Sequence, residues 1–139
     1  MTPKARAIAV SAVVVAATVA GIVTLGSPTV QRQRRLDERR IADLRGIESA
    51  ITVYWHRRHA LPPDLATLSN EPGLRANTHD PEAGAAYDYE RTGAEAYRLC
   101  AVFAFDSAAE AITRERAVAS NWSHGAGRHC FDLRIPKEE

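Results

Sequence analysis

The sequence predicts an α+β fold in which a long N-terminal helix, partly transmembrane, packs on a small antiparallel sheet. Three features carry that expectation. Residues 7–25 form an apolar run without a charge, and residues 30–60 repeat apolar side chains at helical spacing. From Tyr87 onward the repeat shortens to two, the period of strands with one buried face. The chain therefore divides into an anchor at 7–25, an amphipathic helix at 30–60, and the loop and sheet of a soluble domain at 61–139.

The anchor reads AIAVSAVVVAATVAGIVTL, nineteen residues that span roughly 28 Å as a helix, close to the hydrocarbon thickness of about 30 Å. Lys4 and Arg6 precede it, and Gly26-Ser27-Pro28 breaks it. A cleaved signal peptide is the competing assignment. Against it, the run exceeds the usual h-region of about 7–15 residues, and no clean Ala-x-Ala site follows. The sequence favours an uncleaved anchor.

Behind the anchor, Leu36, Ile41, Leu44, Ile47, Ile51 and Tyr54 recur at spacings of three to five, and Trp55 widens the stripe. Arg32, Arg34, Arg35, Arg39 and Arg40 cluster at the start of this helix. As a group they suit a solvated face or contact with the headgroups of membrane lipid. A nucleic-acid role is disfavoured, because no aromatics interleave with them and net charge is only +1. Counted by the positive-inside rule, they place the soluble domain in the cytoplasm. The helix should stop near Ala60, since Leu61 precedes Pro62-Pro63 and residues before proline avoid helical backbone.

Residues 64–68 allow a turn or two of helix, and 70–86 form a long irregular stretch punctuated by Pro72, Gly73, Pro81 and Gly84. A hairpin follows. Tyr87 to Glu90 alternates, 92–95 turns, and 96–105 alternates again, with Tyr97, Leu99, Ala101, Phe103 and Phe105 on one face. Residues 107–120 suit either a short helix or an exposed loop, and 128–135 return to strand. Beyond the anchor, roughly 110 residues can bury a modest core without room for a deep active site.

Cys100 and Cys130 are opposite in parity to the apolar residues of their strands, so both should project from the face turned away from the helix. If those strands are neighbours, a disulfide is reasonable, and closing its loop would contribute roughly 3–4 kcal/mol. It presupposes an oxidising compartment; two reduced, half-buried thiols are the alternative. His124, His129 and Cys130 lie close in sequence, and Cys100 would complete four zinc ligands. That spacing matches no standard zinc module, and a metal and a disulfide compete for the same sulfurs. A metal- or redox-active membrane protein built on these four residues is one alternative function, and a cytoplasmic-facing adaptor that binds anionic lipid through the Arg32–Arg40 run is another. Asp80, Glu82, Asp88 and Glu90 could in principle gather a calcium ion, but Asp80-Pro81 and Gly84 read more strongly as a turn. No P-loop, dinucleotide fingerprint or Ser-His-Asp set is present, so no catalytic residue and no cofactor is assigned.

The order RRIADLRGIESAITVYWHRRHALPPDLATL, then DPEAGAAYDY, then a small sheet resembles the type IV pilins and type II secretion pseudopilins. The segments YRLCAVF and WSHGAGRHCF are similar to those of bacterial single-pass membrane proteins that carry such a domain. The likeness runs from about Arg35 to Leu133. It implies a pilin-like fold, a soluble domain outside the cytoplasm, no catalysis, and membrane lipid and other envelope proteins as partners. The chain departs from that group in lacking a prepilin peptidase motif, and its anchor contains no acidic residue. The calcium site of the major pseudopilins has no residue-by-residue counterpart here.

Overall fold

The computed structural model describes residues 2–25, 27–107 and 122–136, in two compact units, Met1–Gln33 and Arg34–Glu139. In the first unit, helix α1 runs over Pro3–Leu25. Proline suits that opening position because the first helical N–H has no acceptor anyway. The Thr2 carbonyl takes the amides of Ala5 and Arg6. The hydroxyl of Thr18 donates to the Val14 carbonyl at 2.8 Å, so that polar group is satisfied within the helix. Among the described residues, Pro3–Gly21 is long and apolar enough to cross a membrane, and none of that stretch is buried within the protein.

A new helix, α2, covers Pro28–Arg58. Ser27 begins it: its hydroxyl accepts from Val30 N at 3.3 Å, its carbonyl takes Gln31 N, and Pro28 follows at the first helical position. The expected single long helix is thus described as two elements, the second with its own cap. The sequence-derived limits of 30 and 60 lie two residues from the observed ends. The stop falls at His59, whose φ of +53° is left-handed and whose amide still reaches the Trp55 carbonyl at 2.7 Å. Such a conformation costs a non-glycine residue about 1 kcal/mol. The diproline lies beyond the stop and does not itself make it.

Within the second unit, α2 lays Leu44, Ile47 and Ile51, all without exposed surface, into one core with the sheet. Helix α3, Leu65–Asn70, is capped by Asp64, whose carboxylate accepts Thr67 N at 2.6 Å, and it adds Leu65 and Leu68 to that core. The sheet is antiparallel in the order β1 (Asp88–Arg91), β2 (Ala96–Phe103), β3 (Gly127–Arg134). Thr92 and Gly93 amides both donate to the Ala96 carbonyl and close the β1–β2 hairpin. Alternation then sorts the side chains as expected. Tyr97, Leu99, Ala101 and Phe103 of β2 join Phe131 and Leu133 of β3 in the core.

One strand is shorter than its pattern predicts. The alternation of β2 extends to Phe105, yet the strand ends at Phe103. The Asp37 carboxylate, arriving from α2, takes the amides of Ala104 and Phe105 at 2.9–3.0 Å and removes them from any ladder. The helix-or-loop expectation for 107–120 lies outside the described residues from position 108 onward.

Candidate functional site

The most concentrated chemistry is a cluster of charge beneath the solvent-facing turn at residues 80–84. Arg40 sits on α2 with 7% of its side chain exposed. Its guanidinium donates through Nε to Asp80 at 2.6 Å, through Nη1 to Asp37 at 2.8 Å, and through Nη2 to Asp80 at 3.3 Å and Glu82 at 3.2 Å. Each carboxylate has further work. Asp37 binds the two amides that end β2, and Asp80 Oδ1 accepts from the amides of Glu82 and Ala83. Gly84 completes the turn with a φ of +66°, and its amide donates to the Asp80 carbonyl. The Arg40 hydrogen bond holds the Asp80 carboxyl at about 2, and Asp80 in turn raises Arg40. One cation thereby joins helix, turn and strand end. Chemically it is a structural joint, because every nitrogen of the guanidinium that faces the cluster is already bonded.

This geometry corrects one site assignment. The sequence groups Arg40 with Arg32, Arg34, Arg35 and Arg39 as a lipid-facing cation, but it is buried among acids and unavailable to a headgroup. The other four are exposed, with Arg34 lying 5.7 Å over the Phe105 ring. The four acids weighed for calcium also diverge. Asp80 and Glu82 go to Arg40, Asp88 pairs with Arg128 at 3.0 Å, and Glu90 lies 3.8 Å from Arg98. The turn assignment is the one realised.

Cys100 and Cys130 form a disulfide. They are direct cross-strand partners in the β2–β3 register, with Cα atoms 4.0 Å apart. Both lie on the sheet face opposite the core, as their parity indicates. Around them that face carries charge: Arg98 pairs with Asp132 at 2.7 Å, and the Arg128–Asp88 pair crosses diagonally past Cys100. Cys100 is consequently only 4% exposed.

With the sulfurs joined, no thiolate is left to complete a set with the histidines. His124 is buried, stacked on Phe103 with ring centres 3.7 Å apart, and burial pushes its imidazole below the ordinary range. His129 packs edge-on against Phe131, 6.4 Å from His124. His124 is therefore a packing residue here. Its backbone is stapled to Ser107, which donates to the His124 carbonyl and receives the His124 amide at 2.8 Å. A groove of about 340 Å³ opens beside this staple, lined among others by Arg34, Asp37, Phe105, Trp122 and His124. Among the described residues, no group of three or more His, Cys, Asp or Glu side chains is arranged to hold a metal ion.

Two polar features escaped the sequence. Asp43, on α2, accepts the Tyr87 hydroxyl at 2.9 Å and the Asn77 amide at 3.0 Å, tying the irregular 70–86 stretch to the helix. Tyr97 is fully buried, and its hydroxyl has no hydrogen-bond partner among the described residues. No protein-family model, curated protein or solved structure matches the chain.

Proposed function

We propose that this chain is a non-enzymatic, single-pass membrane protein whose pilin-like domain stands outside the cytoplasm and serves an interaction or envelope-assembly role. The observation that carries the proposal is the Cys100–Cys130 disulfide in a small domain that follows an apolar helix. Disulfides persist in oxidising compartments, and a domain of this size has little core to spare. An amphipathic helix laid on a three-stranded antiparallel sheet agrees with the pilin resemblance. The contact element that suits a partner is the open sheet face, where Glu90, Arg98, Asp132, Arg128 and Asp88 present alternating charge.

A second reading, a domain facing the cytoplasm, is favoured by the arginines that follow the span. A reporter fused after Glu139 separates the two. Alkaline phosphatase, active only after export, should be active, and the denatured but unreduced chain should show no free thiol. Activity of a cytoplasmic reporter together with two free thiols would overturn the placement.

A further inference from the structure

The ion pairs of the domain leave an uneven charge on the early turns of α2. Asp37 and Arg40 neutralise one another inside the buried cluster, and Arg34 is engaged over Phe105. What remains exposed across 32–40 is Arg32, Arg35 and Arg39 against one acid, Glu38. Arg35 and Arg39 are one turn apart, on the side of α2 turned from the buried Leu44, Ile47 and Ile51. Like charges at that spacing repel, and among the described residues neither has a carboxylate partner.

We propose that Arg32, Arg35 and Arg39 bind the phosphate headgroups of anionic phospholipid beside the apolar helix. Arg32 lies seven positions after Leu25, so even a fully extended chain holds the two within about 25 Å. Within α2, Arg39 lies about 16 Å along the axis from Pro28. If the span occupies a bilayer, chain connectivity alone keeps Arg32 within reach of a headgroup layer, and Arg35 and Arg39 follow it on the same helix. The guanidinium fork is suited to phosphate oxygens, and juxtamembrane arginines gain affinity from a negative surface. Nucleic acid is a poorer match, because no aromatic side chain lies among the three arginines and net charge is +1. The inference rests on the membrane span but not on which side the domain faces or on its pilin-like character.

The test uses the full chain in a neutral detergent, titrated with phosphatidylglycerol or phosphatidylcholine, with bound lipid read by native mass spectrometry. Phosphatidylglycerol should bind preferentially and weaken as salt rises, whereas phosphatidylcholine should show little salt dependence. The triple variant Arg32→Gln, Arg35→Gln, Arg39→Gln should lose phosphatidylglycerol affinity on the order of a hundredfold, and the matching Lys variant should retain most of it. A charge-matched control, Arg75→Gln, Arg91→Gln, Arg134→Gln, changes exposed positions elsewhere and should bind as the parent does. Equal binding of the two lipids, an unaffected Gln variant, or an equal loss in the control each overturns the proposal. Displacement of lipid by an equal concentration of inorganic phosphate would overturn it in favour of a soluble-anion site.

Discussion

Replacing Arg40 by methionine keeps most of the side-chain length and removes the cation that bonds Asp37, Asp80 and Glu82. Breaking one side of a buried ion pair costs about 3–5 kcal/mol, because the orphaned charges stay out of water. Glu82 is 38% exposed and can turn to solvent, so the lower end of that range, about 3 kcal/mol, applies. For a domain of this size, that is a shift of about 2 M in the urea midpoint if m is about 1.5 kcal/mol/M. Unfolding of the full chain in detergent at pH 7, followed by the fluorescence of Trp55 and Trp122, measures it.

The pH dependence gives a second, independent sign. In the parent, Asp80 has a folded pKa of about 2 against an ordinary 3.8. A depressed carboxyl contributes stability above its unfolded pKa and loses it as pH falls through the folded value. About 2 kcal/mol should therefore disappear between pH about 4 and about 2. In the methionine variant, Asp80 keeps two acidic neighbours and loses the guanidinium that depresses it, so its folded pKa moves above the ordinary value. Acidification from pH 7 to 5 should then raise the variant's stability relative to the parent. Adding Asp80→Asn should recover part of the loss, since the two changes share one interaction. Superimposable acid limbs, or an unchanged midpoint at pH 7, would show that the cluster does not hold helix, turn and strand together.

Two further outcomes follow from the backbone and the core. Tyr97→Phe removes a buried hydroxyl that has no partner among the described residues, and should be neutral or stabilising by about 1 kcal/mol in the same unfolding assay. Tyr87→Phe, which takes from Asp43 one of its two donors, should instead cost about 1 kcal/mol; equal effects at the two sites would contradict the assignment. His59→Gly should stabilise by roughly 0.5–1 kcal/mol, because glycine adopts a φ of +53° without strain; a loss of stability would mean that the imidazole makes a compensating contact.

The helix and strands were legible because their signals are local. Leu44, Ile47 and Ile51 mark a helix face by spacing alone, and Tyr97, Leu99, Ala101 and Phe103 mark a strand face by parity. The same parity puts Cys100 and Cys130 on one face. The ion cluster also left a trace. Counting back from Ile51, Ile47 and Leu44 by alternating steps of three and four reaches Arg40 and then Asp37, so both occupy core-facing positions of the stripe. Polar residues at those positions argue for buried partners, but nothing local names the partners.

The sequence by itself determined an apolar helix able to span a membrane, an amphipathic helix behind it, a hairpin, and the facing of two cysteines. These depend on periodicity and composition over short stretches. Only the tertiary structure decided that Cys130 lies opposite Cys100, that Arg40 serves the 80–84 turn while its neighbours remain exposed, and that Asp37 ends β2. Each of those brings together residues 30 to 67 positions apart, a separation bridged by folding the chain and not by any local preference.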